Sequence, residues 1–308
     1  MVPNKDRIHK QKSLSHEDYT IAWICALPEE RTAAQAMLDE EHDQLPKPRN
    51  DHNAYNLGSI AGYNIVIAYL PTTGTNAAAT VAANMTHTFQ SIKFGLMVGT
   101  GSGLPFKVSL GDVVVSHPVL QYPGVVQWDM GKLERGGRTV QTGPLNRPPN
   151  ILLNASNRLK SDYEIFGSSI NKYLGDLEKS FPHLVPQYTS PEEPQERKEV
   201  RVYHGLIASG NRVVKDAQAR DALDKCFAGH VLCIEAGGAA GVMNDLPCIV
   251  IRGICDYADR ESTGDWQPYA ATVAAVYAKE LLGNLQADVT HARGPVSEAL
   301  EKVQAGRT

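Results

Sequence analysis

Short apolar runs separated by stretches of helical spacing set the pattern of this chain. Residues 19–26 (YTIAWICA), 94–98, 113–116, 202–209, 231–234 and 247–255 are apolar, and most are rich in β-branched side chains. Runs of that kind suit strands covered on both faces. Residues 54–59 and 63–69 flank Ala61-Gly62 and predict a hairpin. Pro28 stands where a helix can begin without losing a hydrogen bond, and that helix continues through Thr32 to Leu38. An alanine-rich helix is expected over 77–89 and another over 215–225, with Asp216 near its start. Small residues from Glu235 to Ala240 open a further helix. Val273, Val276, Tyr277 and Leu281 give residues 266–285 the spacing of an amphipathic closing helix.

Between 122 and 201 the pattern degrades. Gly131, Gly136, Gly137, Pro144, Pro148 and Pro149 punctuate it, with helical periodicity only around 151–159 and 173–177. The run 190–201 is charged and proline-bearing, a solvated excursion. Strands alternating with helices, and no internal repeat, predict one α/β domain over 18–285 with a loop-rich insertion at about 122–201. Residues 1–17 read as a flexible tail. Residues 286–308 read as a polar tail with room for a short helix at 296–303.

Composition narrows the function classes. Hydrophobic residues make up 42% and charged residues 21%, as in an ordinary soluble protein. The formal net charge of −4 gives no electrostatic case for nucleic acid or an anionic membrane. The first residues lack an apolar secretory core, and no run reaches the roughly 18 apolar residues of a membrane span. Cys25, Cys226, Cys233, Cys248 and Cys255 form no CxxC pair, which predicts reduced thiols, a cytoplasmic setting and neither zinc nor a disulfide framework. His87 and His117 fit no metal-ligand pattern, and no cofactor is expected.

The candidate chemistry centres on residues 247–259, PCIVIRGICDYAD. A buried strand runs into Arg252 and Gly253, and Asp256 follows at its carboxyl end, where ligands collect in open α/β sheets. A carboxyl group leaving a buried strand gives up part of its hydration, which favours the proton-bearing form that a general acid needs. Capping of a turn is the competing role for Asp256. Glu29 and Glu30 occupy the first turn of the helix after Pro28; the helix dipole accounts for one acid and leaves the other free to face a crevice. The loop 71–76, PTTGTN, opens a helix with glycine and hydroxyls, which serves either a ligand or ordinary capping. Gly99, Gly101 and Gly103 match neither a dinucleotide fingerprint nor a Walker loop. Their alternation predicts a backbone pressed against something flat, or a sharp re-entrant turn.

Five ordered segments carry a resemblance: CALPEE at 25–30, GLMVGTGSGLP at 95–105, SLGDVVVS at 109–116, GLIASGN at 205–211 and VIRGICDYAD at 250–259. Across roughly 19–285 the chain resembles the purine nucleoside phosphorylase and methylthioadenosine/adenosylhomocysteine nucleosidase superfamily, closest to its fungal branch. The resemblance implies a three-layer α/β/α sandwich around a mixed, partly closed central β-sheet, the nucleoside phosphorylase fold. It implies that Asp256 protonates the purine as the glycosidic bond breaks and that Glu30 positions the attacking water. It implies further that Asn211 and Val213 line the base, with Val213 where many relatives place a stacking aromatic. Thr100 and Gly101 would lie under base and sugar, and Gly74 and Thr75 near the sugar and nucleophile. The implied partner is a small purine nucleoside or nucleotide, and the implied assembly is a homo-oligomer. One departure stands out. The family's Glu-Met-Glu reads Glu235-Ala236-Gly237-Gly238 here, so the acid that holds the ribose hydroxyls is a glycine, and either Glu235 reaches the sugar or substrate choice or activity has changed.

Phosphorolysis needs a fixed anion site, usually arginines. The loop 71–76 contains no Arg or Lys, which favours water as nucleophile over phosphate. A nucleotide substrate would call on Lys132, Arg135, Arg138 or Arg147, which otherwise form a solvated basic loop. The expected activity is therefore hydrolytic release of a purine base. A phosphate-dependent phosphorylase and a non-catalytic nucleoside sensor are the alternatives.

Overall fold

The computed structural model describes residues 14–133, 135, 139–184, 199–259 and 264–285. A 3-10 turn at His16–Asp18 precedes β1 (Ile21–Cys25) and α1 (Pro28–Ala36). The chain continues through β2 (Glu40–His42), β3 (Tyr55–Ile60), β4 (Tyr63–Tyr69), α2 (Thr75–Thr88), β5 (Phe94–Gly103) and β6 (Val113–Ser116). Next come β7 (Val125–Gln127), β8 (Gly131–Leu133), β9 (Thr139–Gln141), α3 (Asn150–Phe166) and α4 (Ile170–Ser180). The last elements are β10 (Val202–Ser209), α5 (Ala217–Cys226), β11 (Val231–Glu235), β12 (Cys248–Asp256) and α6 (Gln267–Gly283).

The main sheet runs β11-β10-β6-β12-β5-β1-β4-β3-β2, with β7 added on β10. Pairs β4–β1–β5–β12 are parallel, whereas β12–β6 and β3–β4 are antiparallel, so the sheet is mixed. β11 also pairs antiparallel with β5 through Cys233 and Ile234, which curls the sheet partly closed, as expected. The hairpin turns at Ala61 and Gly62, both with positive φ.

One sheet face packs against α1, α3, α4 and α6 through Ile21, Trp23, Leu96, Val98, Ile249 and Ile251. Ala22, Ile24, Met97 and Val250 face the other way, toward Ala78, Val81 and Met85 of α2. The alternation along β1 and β5 thus supplies both layers of core, the arrangement a doubly covered sheet requires.

Four elements depart from the sequence expectation. The glycines at 99–103 continue β5 as strand and do not turn. The expected helix after Glu235 is only a 3-10 turn at Ala239–Gly241. α6 is not amphipathic: 13 of its 17 residues are buried, because it lies between the sheet and α1, α3 and α4. The stretch after 122 contains β7, the β8–β9 ribbon and two full helices, α3 and α4, longer than their periodicity indicated. Most of the charged run, 190–198, and the tail residues 286–308 lie outside the described residues.

A buried polar network joins β10 to α3 and α6. Ser156 Oγ lies 3.2 Å from His117 Nε2 and 2.9 Å from the Tyr277 hydroxyl, which is 3.4 Å from His204 Nε2. Burial, reinforced by the nearby His117 and Lys160, pushes the His204 pKa down to about 4. The unfolded chain therefore binds more protons below its own histidine pKa of about 6.5, and the fold loses stability as the pH falls from there toward 4. The loss from His204 is about 3 kcal/mol by pH 4. Urea midpoints at pH 7.5 and 5 will converge in His204→Gln relative to wild type, and an unchanged pH dependence would exclude His204 as its source.

Candidate active site

β1 ends at Cys25, and α1 begins three residues later at Pro28, so Glu30 stands at the third helical position with its side chain turned back. Its Oε2 accepts the N–H groups of Ala26 (2.7 Å) and Leu27 (3.0 Å). Its Oε1 accepts the N–H of Thr100 (2.8 Å) and the Thr100 hydroxyl (3.3 Å). Glu30 is thus the inward acid of the pair, 3% exposed, and it ties the β1–α1 turn to the end of β5. Burial pushes its pKa above the usual carboxylate value, while Arg252 and the three backbone N–H groups hold it back. Four donors on two oxygens favour the ionised form.

Arg252, on β12, is fully buried. Its Nη2 pairs with Glu235 Oε2 at 2.9 Å. Its Nε and Nη1 make no hydrogen bond among the described residues. A Cβ on Gly99 would stand 2.3 Å from Glu30 Oε1 and 2.5 Å from Arg252 Nη1. The glycine alternation has its reason here: β5 needs bare backbone where the Glu30 and Arg252 head groups cross it. Gly101 is likewise overlaid by Cys233 and the Arg252 stem. Glu235 uses its remaining acceptor positions on the N–H groups of Gly237 (2.7 Å) and Ala239 (3.0 Å), so its carboxylate is turned inward. Glu30, Arg252 and Glu235 form a buried set of two acids and one arginine.

Asp256 is the last residue of β12. The pairing of β12 with β5 shifts register between Ile254, opposite Gly101, and Asp256, opposite Ser102. Cys255 is the extra residue of this bulge, a device that re-aims side chains at the ends of strands. Asp256 Oδ1 accepts the Ala258 N–H at 3.0 Å. The Cys255 thiol donates toward Gly101 O (3.6 Å). Burial first, then the Asp256 charge, pushes that thiol up to about 12; Glu30 adds to the rise, and a hydrogen bond with Thr100 opposes it. Glu30 thus meets Thr100 on β5, the Cys255 thiol points to Gly101 beside it, and Asp256 follows Cys255 at the carboxyl end of β12.

Thr75, Asn211 and Asp129 form a clamp. Asn211 Oδ1 accepts both the N–H (2.9 Å) and the hydroxyl (2.8 Å) of Thr75. Its own N–H and Nδ2 donate to Asp129 Oδ2 at 2.7 and 3.0 Å. Gly74 caps α2, and its carbonyl lies 2.5 Å from where a Cβ on Gly238 would be; a Cβ on Gly241 would fall 2.0 Å from Thr75 O. The glycines after Glu235 are thus what lets the 74–75 backbone lie against them. Val213 is 66% exposed in this chain. Arg31 donates to Asn56 Oδ1 (2.9 Å) and lies over the Tyr69 ring, turned from the site.

Asp129 is the residue that sequence reasoning missed. It follows a three-residue strand inside a stretch without periodicity, and nothing local marks it. Asp129→Ala removes a charge-assisted pair of hydrogen bonds to Asn211, and a lower Tm is expected, with a higher KM where the clamp holds the substrate. Steady-state kinetics beside thermal denaturation checks this.

Comparison with known proteins follows the same outline. A nucleotide-binding leucine-rich repeat (NLR)-like protein of Hyaloscypha variabilis is 43% identical over 92% of this chain; the chain spans 31% of that protein's length. A 5'-methylthioadenosine/S-adenosylhomocysteine nucleosidase of Mycobacterium bovis is 25% identical over 85% of this chain and 95% of its own. The solved nucleosidase of that name from Neisseria meningitidis, bound to methylthio-immucillin-A, superposes with a TM-score of 0.62 at 20% identity, covering 86% of this chain and 99% of its own. The family profile described as the phosphorylase superfamily matches residues 20–283, from the start of β1 to the end of α6, and the chain belongs to that superfamily.

Proposed function

We propose that this domain is an N-glycosidase that releases the base of a purine nucleoside or nucleotide by hydrolysis. The observation that supports the reading is the run of contacts from Glu30 to Thr100 and from Cys255 to Gly101 on the same strand, with Asp256 next to Cys255. Loss of a purine as its anion is slow, so Asp256, at the open end of β12, delivers a proton to the base as the bond breaks. The sugar then carries oxocarbenium character. Glu30, fixed by four donors, stabilises that charge and orients water toward the anomeric carbon. The Arg252 Nη1, a buried donor facing Glu30 across Gly99 and unused by other side chains, supports a polar atom being held there. Thr75, Asn211 and Thr100 supply hydroxyl and amide groups toward the sugar and base. The inward set of Glu235 supports a role as the partner of Arg252, with ribose recognition passing to other groups.

Hydrolysis is favoured over phosphorolysis by the placement of the arginines. Arg252 pairs with Glu235 and lies beside Glu30, and Arg31 is turned toward Asn56 and Tyr69, so neither arginine forms the open clamp that phosphate needs. Incubation with adenosine, inosine, methylthioadenosine and ATP, with and without phosphate, tests the reading. Free base without phosphate supports it. Ribose 1-phosphate would make the domain a phosphorylase, and saturable binding without product would make it a sensor.

A further inference from the structure

The turn that carries Asp256 is held from outside the site, by a buried cation on another element. Arg220 on α5 is 7% exposed. Its Nη1 donates to the carbonyl of Tyr257 at 2.7 Å, and its Nε to Asp221 at 2.8 Å. The Asp221 carboxyl is 56% exposed, so that neighbouring pair does little to offset burial of a guanidinium. The Tyr257 carbonyl is the substantial partner. α5 is itself fixed at its start, where Asp216 accepts the Ala219 N–H at 2.8 Å.

The backbone that Arg220 grips is irregular. The β5 ladder slips at Cys255, Asp256 Oδ1 folds onto the Ala258 N–H, and Ala258 adopts a left-handed φ of 55°. A non-glycine residue in that region needs surroundings that hold it there. Tyr257 is tethered on both sides: its carbonyl by Arg220, and its phenol oxygen by the Leu110 N–H at 3.2 Å. Among the described residues no ladder hydrogen bond reaches that carbonyl, because β12 has ended.

We propose that Arg220 is a positioning residue for the catalytic acid, holding the 256–258 turn so that the Asp256 carboxyl keeps one orientation. This rests on the reading of Asp256 as the general acid. Small misplacement of a reacting group, caused by a residue outside the site, can cost up to about a hundredfold in rate.

The test compares Arg220→Met, Arg220→Lys, Asp221→Asn and Asp256→Asn in full-length protein. Turnover, pH profile, folded fraction by circular dichroism and amide exchange at residues 256–259 are measured for each. Arg220→Met is expected to lower kcat by about tenfold or more, leave KM within about twofold, alter the pH profile and speed exchange at Ala258 while the chain stays folded. Arg220→Lys keeps one donor for the Tyr257 carbonyl and is expected to recover most of kcat and protection. Asp221→Asn is expected to match wild type. Wild-type kcat and exchange in Arg220→Met, or a loss that follows the unfolded fraction and is not rescued by lysine, would overturn the proposal. The two claims separate cleanly. Turnover retained in Asp256→Asn removes the acid itself, whereas an inactive Asp256→Asn beside a fully active Arg220→Met removes only the positioning role.

Discussion

Asp256→Asn is expected to lower base release by about a thousandfold, within the range that a positioned general acid supplies. The substitution is nearly isosteric. The asparagine carbonyl can still accept the Ala258 N–H, so the bulge and the turn persist. What is lost is the proton that converts a poor leaving group into a neutral base. Because that interaction is made in the transition state, kcat and kcat/KM should fall together, with KM and Tm close to wild type. Retained turnover would remove Asp256 from the acid role.

Arg252→Met is expected to have the largest effect on stability, a loss of about 3–5 kcal/mol, because it strands buried carboxylates. Methionine fills most of the arginine stem's volume, so packing is a lesser part of the loss. Glu235 would forfeit its ion pair, and Glu30 the charge that offsets its burial. Glu30, whose pKa burial already raises, would then hold its proton more tightly folded than unfolded. A group with a raised folded pKa stabilises the fold at low pH and ceases to do so as the pH rises through that value. The deficit should therefore be larger at pH 8 than at pH 5.5, which urea midpoints at the two values would read. A deficit below about 1 kcal/mol, or one independent of pH, would mean that the buried set is not held by Arg252.

The sheet was legible because its strands are short apolar runs that nothing but a doubly covered sheet accommodates. Glu30 and Asp256 were legible for a related reason: each is an acid at the end of such a run, and the motif around it resembled a family. For the glycines of β5 the close-packed backbone was legible and the turn was wrong, and the groups pressed on them, Glu30 and Arg252, could not be named because they arrive from elsewhere in the chain. α6 was misjudged because a helix covered by three others carries small and apolar residues on every side, and spacing then says little about its facing. Asp129 and Arg220 were invisible for the same physical reason. Each acts through a contact far away in sequence, Asp129 on Asn211 and Arg220 on Tyr257, and neither sits in a pattern of its own. Glycine after Glu235 was legible as a departure, but its cause, the 74–75 backbone lying against Gly238 and Gly241, is tertiary.

The most direct measurement is isotopic. Wild-type protein is incubated with a purine nucleoside and, separately, with ATP in phosphate-free water enriched in oxygen-18. Free base should appear together with one heavy oxygen at the anomeric carbon of the released sugar. Base release without that label, or no base from any of these substrates, would contradict water activated at Glu30 and a proton supplied at Asp256.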